Sequence, residues 1–313
     1  MSERIDDLGG GPELVLGINT CFAVKRWPQP EQWAARLAEF GVEEVQLSMD
    51  LLPFGGDLDA ALGYAERAAR AVSAAGLRLH SMFTGLAAYS SPLLLSDDPG
   101  DRRAAETWYG EMIRVAAAAG AHGAGGHVGA LSSPAVDDPR RRDELHAWQI
   151  EAMLRLAEIA AAEGLDHLQF ENLAVTREYG HSIAEAHELE LRLADAAVPW
   201  LLCLDLGHPP ALPASTGSSD PEQWLRESWA HTPVLQLQQS PSGADHHGPF
   251  TEAANRAGAV RREPVIELLR GWQAERVPMF LEVIHAHEAP DELVLDELRQ
   301  SVDYWREGLA GRG

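Results

Sequence analysis

Acidic side chains close three of the short apolar runs in this sequence. Glu171 ends the run LQFE, Asp205 ends LLCLD, and Glu282 follows MFL. A carboxylate buried at such a position without a partner is strongly destabilising. Because carboxylate oxygens bind hard divalent cations, these acids predict a metal site at the ends of the runs.

Amides and imidazoles accompany the three acids. Gln236 and Gln238 alternate with leucines in LQLQQ, so both are expected on one face of a strand, and one of them is expected as a fourth ligand. Imidazole would add affinity for transition metals. The further candidates that end or follow other apolar runs are His80, His127, His208, Asp245 and His247.

The apolar runs alternate with long alanine-rich amphipathic stretches. Gly41, Gly76, Gly120 and Gly164 each follow such a stretch and precede a run, as glycines that end helices do. Short apolar runs with these flanks are typical of buried parallel strands. The runs are Leu14–Asn19, Glu44–Ser48, Leu77–Met82, Gly123–Val128, His167–Glu171, Trp200–Asp205, Val234–Gln239 and Met279–Ile284.

Eight strand–helix units predict an α/β fold, a single (β/α)8 TIM barrel. The barrel is expected to span residues 14–313 as one catalytic domain, after a flexible N-terminus at residues 1–13. A doubly wound open sheet is the alternative, but no G-x-G-x-x-G motif follows the first run. In a TIM barrel the active site lies at the carboxyl ends of the strands, which is where the candidate residues fall.

Composition excludes several classes of function. The 313 residues include 48 Asp and Glu against 25 Lys and Arg, a formal charge of -23, which disfavours nucleic acid as a partner. No apolar run approaches the roughly 18 residues of a membrane helix, and the acidic N-terminus is unlike a signal peptide. Two cysteines, Cys21 and Cys203, form no disulfide framework, so a cytoplasmic protein is expected.

With Glu171 in FEN, Asp205 in CLDLGH, a strand-seven glutamine and Glu282 in LEVI, the sequence resembles the xylose-isomerase-like superfamily of sugar (phosphate) isomerases and epimerases. The resemblance implies a divalent metal held by these side chains, with Mn favoured and Mg, Co or Zn as alternatives. His208 matches the D-x-x-H pattern of the ketose 3-epimerases, where this histidine faces the substrate. Those enzymes have a histidine ligand on strand seven and an arginine soon after it, and this sequence has neither.

Five further stretches resemble a subgroup associated with tetrulose phosphates: GINTCFAVKRWP, FTGLAAYSS, GGHVGAL, FENLAV and LQQS with DHHGPFT. This resemblance implies a small ketose or ketose phosphate as substrate, with 3-epimerisation of a tetrulose phosphate favoured. Lys25, the only lysine, follows the first strand and is expected to contact a phosphate as a point charge. The expected contacts to sugar hydroxyls and phosphate are His208, His127, His80, Asp245 and His247; the extra histidines could instead hold a second metal.

Glu171 and Glu282 lie on strands across the barrel mouth and are the expected catalytic pair. One carboxylate would remove a proton next to the ketone, giving an enediolate, and the other would return a proton. Proton return at the neighbouring carbon would give isomerisation instead. Barrels of the family commonly pair, so a homodimer is an option.

The same superfamily contains an apurinic endonuclease with three zinc ions, whose ligands match most of the candidate residues here. A multinuclear-zinc phosphodiester hydrolase is therefore the main alternative, and the charge of -23 argues against it. A sugar-binding barrel without catalysis is a second alternative, although a binder has no need of carboxylates on both faces.

Overall fold

The computed structural model describes residues 11–53, 56–227 and 234–311, and in them the chain forms a closed barrel of parallel strands. Strands that are consecutive in the sequence are neighbours, and the last strand closes against the first with Ile18 opposite Leu281. The predicted single (β/α)8 TIM barrel is confirmed. The strands are β1 (Glu13–Asn19), β2 (Glu44–Ser48), β3 (Arg78–Phe83), β4 (Gly123–Gly126), β5 (His167–Glu171), β6 (Trp200–Asp205), β7 (Val234–Leu237) and β8 (Arg276–Leu281).

The helices are α1 (Pro30–Phe40), α2 (Leu58–Ala74), α3 (Gly85–Tyr89), α4 (Pro99–Ala118), α5 (Ser133–Asp137), α6 (Pro139–Glu163), α7 (Ile183–Arg192), α8 (Pro221–Glu227), α9 (Glu252–Ala257), α10 (Arg262–Arg270) and α11 (Asp291–Ala310). Helix α6 begins where the Asp138 carboxylate accepts hydrogen bonds from two backbone N–H groups, and it ends at Gly164 with φ 81°. Gly41 ends α1 in the same left-handed conformation, as predicted. Among the described helices, none is long and apolar enough to cross a membrane.

Of the predicted N-terminal segment 1–13, residues 1–10 lie outside the described residues, and β1 begins at Glu13, one residue earlier than the predicted barrel. Residues 54–55, 228–233 and 312–313 of the predicted domain also lie outside the description.

A layer of polar side chains fills the barrel beneath its carboxyl end. Gln46 Oε1 accepts hydrogen bonds from Asn19 Nδ2 at 2.8 Å and from Gln236 Nε2 at 2.9 Å. Its Nε2 donates to Ser81 Oγ at 3.4 Å, and all four side chains are fully buried. Asn19 Nδ2 also donates to Glu282 Oε1 at 3.3 Å, so this layer supports the acidic residues above it.

The structure places His80 at the other end of the barrel. Strand β3 was expected to end near His80, but it continues to Phe83. Val45 pairs with Leu79 and Gln46 pairs with Ser81, so His80 is the extra residue of a β-bulge in the first half of β3.

The imidazole of His80 packs 5.7 Å from that of His167, the first residue of β5, and 5.4 Å from the ring of Phe280. His80 and His167 lie near the amino ends of β3 and β5, at the end of a TIM barrel that is opposite the active site and serves stability. The structure therefore does not bring His80 to the predicted substrate site.

Candidate functional site

Three carboxylates converge at the carboxyl end of the barrel. Glu171 and Asp205 are the last residues of β5 and β6, and Glu282 directly follows β8. One oxygen atom from each lies within 4.8 Å of the others, and all three side chains are buried. Three like charges in so small a buried volume repel one another strongly, and either protonation or a bound cation would offset that repulsion. This set of hard oxygen donors fits a divalent cation.

The protonation of these acids follows from their burial. Burial raises the pKa of Glu171 well above its ordinary range, and the nearby charges of Glu282 and Asp205 raise it further. Burial also raises the pKa of Glu282 to about 8, although the charge of His247 opposes the shift. A bound divalent cation would favour the ionised forms of both glutamates.

Two buried oxygen atoms beside this cluster accept no hydrogen bond from any described residue: Glu282 Oε2 and Gln236 Oε1. Gln236 is the strand neighbour of Asp205 in the register of β6 and β7, so both side chains project from the same face of the sheet. Leaving such oxygens unsatisfied is costly, and coordination of a cation would satisfy them. Gln236 thus has the free amide oxygen that the predicted glutamine ligand requires.

Gln238 lies one residue beyond β7 and has a different environment. Its Nε2 donates to Asp205 Oδ2 at 3.2 Å and to Asp245 Oδ1 at 2.8 Å. Its Oε1 accepts from Ser240 Oγ at 2.6 Å. The structure therefore brings both predicted glutamines to the acidic cluster but gives them different partners.

A second group adjoins the first and shares Asp205 with it. His208 Nε2 lies 3.5 Å from Asp205 Oδ2 and 3.5 Å from Asp245 Oδ2, and His247 Nε2 lies 3.4 Å from Asp245 Oδ1. Ligand atoms of Asp205, His208 and His247 all lie within 4.8 Å of one another, close enough to hold a cation.

The second group contains shifted pKa values and a strained backbone conformation. Burial lowers the pKa of His247, but its hydrogen bond with Asp245 and the carboxylates of Glu282 and Asp205 outweigh burial and raise that pKa to about 10. Burial raises the pKa of Asp245, yet His247 and His208 bring that pKa well below its usual range. His247 also has φ 45°, a strained conformation for a residue with a side chain, and such strain is common at functional sites.

His127 directly follows β4 and is tied to two loops. Its Nδ1 lies 2.9 Å from Glu178 Oε2, and its Nε2 lies 3.2 Å from the carbonyl oxygen of Ser91. Both His127 and Glu178 are buried. These two contacts hold the ring of His127 between the loops that carry Glu178 and Ser91.

The cluster opens into a cavity of about 120 Å³, which shares Cys21, Thr84 and Leu86 with an adjacent cavity of about 510 Å³. Predicted residues that line the smaller cavity are Glu171, Glu282, His127, His208, Asp245 and His247. Lys25 is exposed outside both cavities, in a left-handed conformation with φ 63°. Its neighbour Arg26 lines the larger cavity, but the Arg26 guanidinium is engaged with Asp291 at 2.8 Å.

Sequence reasoning missed two residues that support the site. Asn172 Oδ1 accepts from the backbone N–H of Asp205 at 2.8 Å, and its backbone oxygen accepts from His208 Nδ1 at 2.7 Å. The amide directly after Glu171 was the available signal for Asn172. Glu178, the partner of His127, lies in an irregular loop, where hydrophobic periodicity gives no signal.

Known proteins that are similar to this chain include an epimerase. The chain is 27% identical over 300 residues to D-erythrulose 1-phosphate 3-epimerase of Brucella abortus (strain 2308), a match that covers 93% of this chain and 95% of the relative. The crystal structure of a Rhodospirillum rubrum protein provisionally named xylose isomerase has a TM-score of 0.87 at 28% identity and covers 94% of this chain and 99% of its own.

D-psicose 3-epimerase of Clostridium cellulolyticum H10, solved with D-tagatose, has a TM-score of 0.68 at 16% identity and shares the fold, over 94% of this chain and 99% of its own. The predicted isomerase or epimerase class is confirmed by these relatives taken together. Residues 34–308 match the Xylose isomerase-like TIM barrel family, and the chain belongs to that family.

Proposed function

We propose that this protein is a divalent-metal-dependent 3-epimerase of a small ketose or ketose phosphate, with a tetrulose phosphate favoured. The observation that carries the proposal is that Glu171 and Glu282 reach one small cavity from different strands, and that one oxygen of each lies within 4.8 Å of an oxygen of the buried Asp205. The similarity to D-erythrulose 1-phosphate 3-epimerase supports a tetrulose phosphate as the substrate.

Epimerisation at C3 of a ketose removes the proton beside the carbonyl group and returns a proton to the opposite face. We assign the removal to one of Glu171 and Glu282 and the return to the other, with the roles exchanged in the reverse direction. A divalent cation held by Glu171, Asp205, Glu282 and Gln236 would stabilise the negative charge of the enediolate. Proton return at the neighbouring carbon would give isomerisation, so the placement of C3 between the glutamates determines the product.

The predicted substrate residues other than His80 orient the sugar. His208 and His247 line the cavity beside the glutamates and are placed to contact hydroxyl or phosphate oxygens, together with Asp245. His127 lines the same cavity, with its ring held by Glu178 and by the carbonyl oxygen of Ser91. Lys25 follows β1 at this end of the barrel and is the proposed phosphate contact from the rim.

The test is direct conversion of D-erythrulose 1-phosphate by the Mn²⁺-loaded protein, with the two C3 epimers separated by chiral chromatography. We expect both epimers to accumulate to a fixed ratio from either starting material. Glu171→Gln and Glu282→Gln are each expected to lower turnover about 10²–10⁴-fold.

Glu44→Gln is the matched control for these variants. Glu44 is equally buried but pairs with Arg276 at 3.0 Å at the opposite end of the barrel, so this variant should retain turnover. Full activity of either site variant would remove that glutamate from the mechanism.

A second candidate function is phosphodiester hydrolysis at a multinuclear zinc site. The group of Asp205, His208 and His247 favours it, because a second cation could bind there beside the first. The formal charge of -23 disfavours a polyanionic substrate. Elemental analysis separates the two functions: three zinc ions per chain would support the hydrolase, and a single Mn, Co or Mg ion would support the epimerase.

A further inference from the structure

The side-chain amide of Gln238 is fully committed to protein partners. Its two N–H donors go to two different carboxylates, those of Asp205 and Asp245, at 3.2 and 2.8 Å. Its carbonyl oxygen accepts the hydroxyl of Ser240 at 2.6 Å. Gln238 and Ser240 are fully buried, so these contacts are sheltered from water.

The amide cannot turn around in this position. In the reversed orientation, Oε1 would face the oxygens of Asp205 and Asp245, and ionised carboxylates offer no proton to it. Ser240 adds to this constraint, because its hydroxyl oxygen already accepts the backbone N–H of His246 at 2.9 Å and its proton goes to Gln238. The chemistry of the partners therefore keeps the oxygen of Gln238 directed away from the carboxylates.

Packing holds the same orientation. Gly207 lies against the side chain of Gln238, and a Cβ atom at position 207 would be only 2.2 Å from Gln238 Cδ. Gly207 also donates its backbone N–H to Asp205 Oδ1 at 2.6 Å. The turn after β6 thus fits around Gln238 and Asp205 together.

The two carboxylates that Gln238 joins belong to different groups. Asp205 is part of the three-carboxylate cluster, whereas Asp245 pairs with the histidines His208 and His247 on the wall of the cavity. A neutral double donor between them stabilises both carboxylates without adding charge to the cation cluster.

We propose that Gln238 is a positioning residue that bridges Asp205 to Asp245, and that it is not a ligand of the metal. The proposal rests on the metal site of the proposed function and refines its ligand set, because it leaves Gln236 as the ligand from strand seven. By fixing Asp205 relative to Asp245, the bridge sets where the metal lies with respect to His208 and His247.

The test uses Gln238→Met, which keeps the length of the side chain and removes both donors, with Gln236→Met as the matched comparison. Each full-length protein is titrated with Mn²⁺ and then with Co²⁺ in the absence of substrate. Loss of a hydrogen bond that orients a metal ligand typically changes metal affinity about 10–100-fold, so Gln238→Met is expected to weaken Mn²⁺ binding by roughly tenfold or more. Its Co²⁺ absorption spectrum should keep the wild-type band positions, whereas Gln236→Met should shift them because a ligand is lost.

Crystal structures complete the test. With Mn²⁺ bound, Gln238 should keep its contacts to Asp205, Asp245 and Ser240; in metal-free Gln238→Met, Asp245 should move away from Asp205. Coordination of Mn²⁺ by Gln238 Oε1, a shifted Co²⁺ spectrum in Gln238→Met, or unchanged Mn²⁺ affinity together with an unmoved Asp245 would overturn the proposal.

None of these measurements depends on turnover. An absence of epimerase activity would therefore count against the proposed function but not against the proposed role of Gln238. If the wild-type protein binds no divalent cation, the ligand assignment fails along with the proposed metal site. The position of Asp245 in metal-free Gln238→Met then still decides whether Gln238 bridges the carboxylates.

Discussion

Glu282 Oε2 lies 3.5 Å from His247 Nδ1, and neither atom forms a hydrogen bond with a described residue. Two buried polar atoms that face each other without bonding are expensive in a folded protein, and they are tolerated mainly where function uses them. Glu282 and His247 line the cavity that Glu171 and His208 also line. We therefore expect a cation or a substrate oxygen to complete the bonding of these atoms.

Loss of one charge from the acidic cluster should separate metal binding from folding. Asp205→Asn keeps the shape of the side chain but removes a carboxylate that is fully buried beside Glu171 and Glu282. We expect Mn²⁺ affinity to fall by at least about tenfold, a change of roughly 1.4 kcal/mol in binding free energy. Isothermal titration calorimetry measures this directly, and wild-type affinity in the variant would show that Asp205 is no ligand.

The stability of the metal-free protein should depend on pH through Glu282. Burial raises the pKa of this carboxyl group to about 8 from a usual value of 4.5, so the folded chain holds a proton that the unfolded chain releases. The stabilisation is complete below pH 4.5 and is lost as the pH rises through 8. Saturating Mn²⁺ should abolish this loss, because the cation replaces the proton.

Thermal unfolding in EDTA and in Mn²⁺ across this pH range tests the effect. Glu282→Gln is the control, since its neutral amide cannot titrate, and its unfolding temperature should fall less with rising pH in EDTA. A wild-type unfolding temperature that falls as steeply in Mn²⁺ as in EDTA would contradict the assignment.

Acid should destabilise the opposite end of the barrel. Burial lowers the pKa of His80 to about 3 and that of His167 to about 4, whereas a histidine in the unfolded chain titrates near 6.5. Their stabilising contribution is therefore present above pH about 6.5 and is lost as the pH falls toward 4 and then 3.

His80→Phe keeps an aromatic ring against His167 and Phe280 but removes one titrating group. The fall in unfolding temperature between pH 8 and pH 5 should be smaller in this variant than in the wild type by about 2 °C or more. An equal fall in both proteins would mean that His80 does not contribute to acid sensitivity.

The buried pair of His127 and Glu178 should be important for stability. Glu178→Ala would leave the buried Nδ1 of His127 without its partner, and an unsatisfied buried polar group commonly costs about 1–3 kcal/mol, so the free energy of unfolding should fall by that order. The comparison is Glu185→Ala, because Glu185 pairs with the partly exposed His181 at 2.7 Å and should cost less. Urea unfolding gives the free energy of unfolding of both variants. Equal losses would show that the buried His127–Glu178 contact stabilises the fold no more than the His181–Glu185 contact does.

Much of the barrel follows from local sequence. Glycines such as Gly164 end alanine-rich helices, and runs such as His167–Glu171 have the length and apolar character of buried strands; both predictions are confirmed by the structure. The convergence of Glu171, Asp205 and Glu282 also follows from sequence, because the carboxyl ends of barrel strands meet at one mouth. The predicted place of His80 at the end of β3 was wrong, because β3 continues to Phe83 and a β-bulge changes strand register without a sequence signal.

The contacts among loop residues were beyond sequence reasoning for a different reason. Gln238 and Gln236 look equivalent as alternate residues of one strand, yet β7 ends at Leu237. Gln238 lies in the loop after β7, where Ser240 and Asp245 are among its hydrogen-bond partners. Partners from separate loops have no fixed spacing, so only the folded structure reveals them.

The proposed mechanism requires that Glu171 and Glu282 exchange the C3 proton of a small ketose phosphate with solvent. Its most direct test is proton NMR of D-erythrulose 1-phosphate incubated in D₂O with the Mn²⁺-loaded protein. We predict that the C3 proton signal disappears as deuterium is incorporated, at a rate that Glu171→Gln and Glu282→Gln greatly reduce. A C3 proton that persists while the substrate epimerises, or undiminished exchange in both variants, would contradict the proposed mechanism.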